Sequence, residues 1–190
     1  MNEHIAPVAL DKAYRLLTHG PTVLVSARHA GRDNVMAAAW CCALDFSPPK
    51  LTVVLDKATA TRALIELSGT FVIQVPTVRQ LQLTHEVGSR SLVKEPLKLQ
   101  DSGVTLFDMP GHDLPFVAGC SAWMACKLLP EPHIQTTYDL FIGEVVAAWS
   151  DTRVFSGGHW TFETADPGWR SLHHVAGGQF YAIGEAVNAT

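Results

Sequence analysis

The stretch with the clearest chemical content is Asn34 to Lys50, NVMAAAWCCALDFSPPK. Strands ordinarily carry branched or aromatic side chains on their faces. Ala37, Ala38 and Ala39 instead leave an almost bare surface. Such a surface lets a flat group lie close to the backbone, so the strip reads as the bed for a planar cofactor. Trp40, Cys41 and Cys42 follow directly. Adjacent cysteines on a strand point to opposite faces and do not bridge. Cys120 and Cys126 complete a set of four with no Cys-x-x-Cys spacing, which argues against zinc or an iron–sulfur cluster. The four read as reduced, largely buried thiols, with Cys41 beside the bed. Ser26, His29 and Asp33 form no convincing triad, and no G-x-S-x-G occurs. No side chain is therefore assigned to acid, base or nucleophilic work.

The chain that must position these residues is 190 long, read as a single domain over 1–190 with room for a sizeable core. Its 47% hydrophobic and 17% charged content is that of a folded, not a disordered, chain. A net charge of −4 and the lack of a Lys/Arg cluster exclude nucleic acid and anionic membranes as expected partners. Glu3, Asp11, Lys12 and Arg15 interrupt any apolar run at the start, and no stretch is long enough to span a bilayer. A cytoplasmic location is the default expectation.

Residues 10–19 suggest a short entry helix ended by Gly20-Pro21. TVLVSARH, 22–29, reads as a strand, 30–33 as a turn and Val35 to Ala43 as the returning strand. Pro48-Pro49 ends that excursion, and 51–56 is the next strand. Thr61 is the expected N-cap and Gly69 the expected C-cap of a short helix. A strand follows at 71–75, a helix over 77–88, then strands near 103–107, 117–129 and 138–149. Long strands with few helices favour a closed barrel. The absence of β-α-β alternation and of G-x-G-x-x-G disfavours a Rossmann domain.

The order of N-V-M-A-A-A-W, S-P-P, a strand with Lys and Thr, G-T-F-V-I-Q-V-P, F-I-G-E-V and a terminal H-H-V-A-G-G-Q-F-Y resembles the flavin reductase-like family of FMN-binding split barrels, and within it the flavoredoxins. The likeness runs from about Pro21 to Gly184. It implies a mainly β protein, a Greek-key split β-barrel with a few peripheral helices. It also implies a homodimer with FMN near the subunit interface.

The same resemblance distributes roles. Asn34, Met36, Ala37, Ala38, Ala39, Trp40, Cys41 and Cys42 fall where the isoalloxazine is held, their backbone N–H groups available to its polar edge and Trp40 to cover the ring. Asp56, Lys57, Thr59, Thr61 and Arg62 fall where relatives grip the phosphate, two cations and two hydroxyls at a helix start. Ser89 and Lys94 fall where relatives place an S-G…D-K element near the flavin, although the Gly and Asp of that element are missing. His173 and His174 cannot both face one metal on a strand, and read as packing residues.

Flavin reductases of the family often carry G-D-H before the F-V-G-E-V strand, where this chain has Thr136-Thr137-Tyr138. That departure favours an electron carrier that keeps its FMN and exchanges electrons with redox partner proteins. The alternatives are an NAD(P)H:flavin oxidoreductase using FMN as substrate, and a non-enzymatic split-barrel ligand-binding protein.

Overall fold

The structure is a computed structural model that describes residues 3–189. Its strands are β1 (Ile5–Val8), β2 (Val23–His29), β3 (Arg32–Ala38), β4 (Cys41–Phe46), β5 (Pro49–Val54), β6 (Thr70–Val75), β7 (Leu106–Met109), β8 (His112–Val117), β9 (Ala122–Leu129) and β10 (Leu140–Asp151), followed by the short pairs β11 (Phe155–Ser156) with β12 (His159–Trp160) and β13 (Leu172–Ala176) with β14 (Gln179–Ala182). The α-helices are α1 (Ala60–Ser68), α2 (Leu81–Ser89), α3 (Lys98–Asp101) and α4 (Pro132–Tyr138). Short 3-10 turns cover Leu10–Leu16, Val78–Gln80 and Pro167–Trp169.

One antiparallel sheet runs in the order β3-β2-β6-β9-β10-β5-β4, with β1 added on β10. Its two ends, β3 and β4, are consecutive in the chain, separated only by Ala39 and Trp40. A sheet whose ends are joined by two residues must curl until those ends meet, yet β3 and β4 share no ladder. The barrel is therefore closed by chain connectivity and left split in hydrogen bonding. α1 carries the chain from β5 across to β6 on the far side of β9 and β10, the crossing that gives the Greek-key order.

Alternation of side chains sets what fills the barrel. Val23, Val25, Leu51, Val53, Phe71, Ile73, Met124, Cys126 and Phe141 point inward, joined by Leu16 and Leu17 from the first turn and Leu64 and Ile65 from α1. A shift of register in β10 between Val145 and Ala147 turns the strand, so that Val145 and Ala148 face the barrel interior while Ala147 and Trp149 face outward. Gly143 is required by close approach: a Cβ there would lie 2.5 Å from Cζ of Phe71. Outside the barrel, the β7–β8 hairpin covers β2, β6 and β9 through Leu24, Val72, Phe116 and Trp123. The Gln74 side chain donates to the Ser26 hydroxyl (2.9 Å) and accepts from Val117 N (2.5 Å), which locks that hairpin onto the sheet.

Several element expectations change. The single strand expected over 35–43 is two strands, because the chain breaks at Ala39–Trp40 to pass from one sheet end to the other. Thr59, not Thr61, is the N-cap residue of α1, while Gly69 closes that helix at φ 70° as expected. The entry helix is a 3-10 turn, the 77–88 helix begins as one, and Pro49 opens β5. The strand expected near 103–107 is β7, which pairs with an unexpected β8; α3, α4 and the β13–β14 hairpin are further elements outside the expectation. β8, α3 and α4 sit among Pro, Gly and charged residues that mask any periodicity.

Candidate functional site

Two adjoining cavities open beside β3 and meet at Gly88 and Ser89, the C-terminal end of α2. The first, about 320 Å³, has Ala37, Ala38 and Ala39 on one side. Thr84 and His85 of α2 form a second wall, and His174, Gly177 and Phe180 of the β13–β14 hairpin form a third. α2 lies tightly on the strip: a Cβ on Gly88 would come within 3.1 Å of the Ala37 Cβ. Part of the alanine surface thus receives the helix and the remainder faces the cavity. The hairpin is held over the opening by Thr22, whose N–H donates to Leu172 O (2.8 Å) and whose hydroxyl accepts from His174 N (2.7 Å). His174 and Phe180 meet edge to face at 5.0 Å.

The second cavity, about 280 Å³, is polar. It is lined by Asn34 and Met36 of β3, by the β5–α1 turn from Asp56 through Ala58 to Thr61, and by residues 89–92, Lys94 and Lys98. The N-terminus of nine-residue α1 faces it, and Thr59 makes no side-chain cap bond, so the first N–H groups of that helix are not satisfied by a cap. Asp56 shapes the turn by accepting from Ala58 N (2.7 Å), and the Thr59 hydroxyl donates to Asp56 O (2.8 Å). Asn34 donates to Oγ1 of fully buried Thr61 at 2.9 Å, which leaves the Thr61 hydroxyl proton to give. The other Asn34 atom, Oδ1, is buried without a partner, as is Thr84 Oγ1 in the first cavity. Buried polar atoms are rarely left so, and each marks a place where a bound molecule could complete the bonding.

Lys98 is the strongest feature of the site. It is only 2% exposed, and its Nζ makes no hydrogen bond or ion pair among the described residues. Burial, and then the neighbouring Arg90 guanidinium, push its ammonium down to about 8 against the opposing charge of Glu95. Arg90 itself is engaged: Nε reaches Glu95 (2.6 Å) and Nη2 reaches Asp101 (2.9 Å), which ties α2 to α3 and fixes Lys98 in place. A helix N-terminus, an available hydroxyl and a buried lysine that makes no ion pair converge on one cavity, which Asp56 also lines. That is the donor set of an anion site.

The expected site residues divide. Ala37, Ala38 and Ala39 line the first cavity; Asn34, Met36, Asp56, Thr59, Thr61 and Lys94 line the second; Ser89 lines both. The Ser89 hydroxyl is turned back onto His85 O at 2.5 Å. Five residues lie in neither lining. Arg62 is 7% exposed and structural: it holds Asp139 (2.5 Å), Glu66 (2.9 Å) and the carbonyls of Leu55 and Gln135, and lies over the Phe141 ring. Lys57 is directed to Asp139 at 3.7 Å. Cys41 faces the barrel interior, where burial pushes its thiol up, and Cys42 on the opposite face lies 3.1 Å from the Thr52 hydroxyl. Trp40 is 74% exposed at the β3–β4 joint, its carbonyl accepting from Val54 N. Lys98, Thr84, His85 and the terminal hairpin were missed. A lysine between Leu97 and Leu99 reads as a solvated helix residue, and only the packing of α3 shows otherwise.

With this geometry in place, the comparisons decide the family. The model of the flavin reductase like domain matches residues 14–164. The chain belongs to that family. A crystal structure of an FMN-binding domain of a flavin reductases-like enzyme from Shewanella baltica OS155 is 72% identical and superposes with a TM-score of 0.97, covering 98% of this chain and 97% of that one. The flavoredoxin of Desulfovibrio vulgaris (Miyazaki F) is 27% identical with a TM-score of 0.74, covering 90% of each chain. The Escherichia coli (strain K12) protein YddH is 43% identical over 186 residues, which is 96% of this chain and 97% of YddH. The fold is thus the split barrel of FMN-binding proteins, as the sequence resemblance implied.

Proposed function

We propose that this chain binds FMN in the paired cavities and works as an electron-transfer flavoprotein of the flavoredoxin type. The observation that carries the reading is buried, unpaired Lys98 in a cavity shared with the α1 N-terminus and Thr61. A phosphate monoester satisfies such a donor set better than water does, because charge-assisted bonds are about twice as strong as neutral ones. The adjoining cavity supplies what the ring needs: small side chains on one wall, an aromatic edge on another, and a buried hydroxyl without a partner. Bound FMN supplies reversible uptake of electrons. The residues of this chain hold it, exclude water from its ring with the terminal hairpin, and present hydrogen-bond donors to it. No side chain is required to act as acid or base.

The reading extends to assembly. The outer face of β4, β5, β10 and β9 carries the row Cys42–Thr52–Ile142–Leu129, with exposed Trp40 and Leu44 around it. Next to it runs a row of alternating charge, Asp45–Lys50–Glu144–Lys127. An apolar face edged by alternating charges suits a second copy related by a two-fold axis. Sedimentation of the wild type and of Ile142→Glu tests this: a dimer that becomes a monomer supports it, and a wild-type monomer refutes it. A cytoplasmic carrier serving redox partner proteins is the physiological setting this reading assigns.

Purification tests the main claim. A yellow protein that retains FMN through dialysis and oxidises NADH negligibly is the expected result. Rapid NADH oxidation with release of reduced FMN would establish the flavin oxidoreductase instead. A colourless chain that takes up no FMN would leave a non-enzymatic split barrel.

A further inference from the structure

A third cavity, about 390 Å³, shares no lining residue with the two beside β3. It opens between β1, the β7–β8 hairpin, the start of β9 and the segment after β10. Its apolar walls are Ile5, Phe107, Trp123 and Trp169, with Phe107 and Trp123 edge to face at 6.0 Å. Most of its polar groups are already spent. The Trp123 indole N–H donates to Val117 O (2.9 Å). Asp151, 2% exposed, accepts from the Arg153 backbone N–H (3.0 Å), Nε (2.8 Å) and Nη2 (2.5 Å), so the two charges cancel. The Arg153 guanidinium lies 4.0 Å from the centre of the Trp169 ring.

Asp108 differs from these. A shift of register in β7 between Phe107 and Met109 breaks strict alternation, and the consecutive residues Phe107 and Asp108 both line the cavity. Among the described residues Asp108 has one ion pair, to Arg28 Nη1 at 3.2 Å. Asp113 holds that same nitrogen at 2.9 Å, while Asp33 takes Nε and Nη2 at 2.7 and 3.0 Å. One guanidinium thus answers three carboxylates. The surplus negative charge stands beside an aromatic wall, and the Asp108 side chain is 74% exposed at the rim.

We propose that this cavity is a second binding site, for a small aromatic molecule that carries a protonated amine. Its ring lies against Phe107 and Trp123, and its ammonium is held by Asp108. Aromatic faces attract a cation as well as an apolar body, and a carboxylate with surplus charge selects an ammonium over a neutral or anionic head. Arg153 does not oppose this, because Asp151 neutralises it. The volume falls within the span of small-molecule sites, roughly 300–1,000 Å³. The proposal stands apart from the FMN reading, since it uses none of the same residues.

The test is binding of 2-phenylethylamine, 2-phenylethanol and phenylacetate to the purified chain at neutral pH and low salt, with and without saturating FMN. Tryptophan fluorescence and saturation-transfer NMR give the affinities. The amine is expected to bind about tenfold more tightly than the alcohol, and phenylacetate more weakly than either. Saturating FMN should leave the amine bound, and salt at about 0.5 M should erode its advantage. Asp108→Asn is expected to bring the amine down to the affinity of the alcohol, roughly a tenfold loss, with the alcohol unchanged. Ile5→Trp, which fills the cavity from a strand paired with β10 alone, should abolish binding of both with the circular dichroism spectrum retained. Equal affinity for amine and alcohol, tightest binding of phenylacetate, displacement of the amine by FMN, or an Asp108→Asn chain that binds the amine like wild type would each overturn the proposal. Failure of all three compounds to bind would overturn it as well.

Discussion

Replacing Lys98 with Met separates binding from stability in opposite directions. In the apoprotein the Lys98 ammonium is buried without an ion pair, and burial and then Arg90 outweigh Glu95 and hold it down to about 8 from 10.5. At neutral pH it is charged in both folded and unfolded chains, so the full penalty applies. The unfolded chain binds more protons between about 8 and 10.5, so wild-type apoprotein gains stability as pH rises through that window, and the penalty is gone above it. At about 1.4 kcal/mol per pH unit, the 2.5 units separating 10.5 from about 8 set an upper bound of ~3.5 kcal/mol. Solvation of a flexible ammonium reduces this, and we expect Lys98→Met to stabilise the apoprotein by about 2 kcal/mol, or about 4–8 °C. The same change should weaken FMN by about 1.5–3 kcal/mol, some 10- to 150-fold, by deleting a charge-assisted contact. Thermal unfolding of apoprotein at neutral and alkaline pH gives the first quantity, and fluorescence quenching of FMN the second. An apo variant less stable than wild type at neutral pH, with FMN affinity unchanged, would refute the reasoning by showing that Lys98 is structural.

Three further outcomes follow from the same geometry. Arg62→Ala should destabilise the fold by about 2–3 kcal/mol, because it strands Asp139 and two buried carbonyls, yet leave FMN affinity near wild type at temperatures where the variant stays folded; Thr61→Val should do the converse, loosening FMN by about 1–2 kcal/mol in a binding titration. Gly143→Ala drives a methyl into Phe71 and should cost about 1–3 kcal/mol in urea unfolding without altering the flavin spectrum. His19 lies among Trp160, Phe162 and His173, and burial followed by the His173 charge lowers it from 6.5 to about 4. The unfolded chain therefore binds more protons between those values, and stability is lost as pH falls from about 6.5 to 4, by up to about 3 kcal/mol. His19→Phe should flatten that acid limb in equilibrium unfolding, and an unchanged limb would assign the acid sensitivity to other groups.

The barrel was legible because its signals are local and repeated. Alternation in β2, β6 and β9, turn residues at Gly31 and Gly69, and the motif order all point to one architecture. The alanine strip and Thr61 line the two cavities, and each lies in a motif whose neighbours constrain it. Arg62 and Lys57 misled because a cation near a helix start looks the same in sequence whether it meets a ligand or Asp139, which is 77 positions from Arg62. Trp40 and Cys42 misled because the strand was read as continuous, whereas the break at Ala39 carries them past the cavity to the outer face. Lys98 was invisible because its burial arises only when Arg90 ties the end of α2 to α3 beside the cavity. Ladder periodicity is written in consecutive residues; a site assembled from four separate segments is not.

Dialysis of the freshly purified protein against flavin-free buffer, followed by its visible absorption spectrum and a phosphate-to-protein assay, bears most directly on the claim that the paired cavities hold FMN. The structure predicts one FMN retained per chain in the wild type and much less in Lys98→Met. Equal retention in the two proteins, or a wild type without absorbance above the protein band even after soaking in excess FMN, would contradict it.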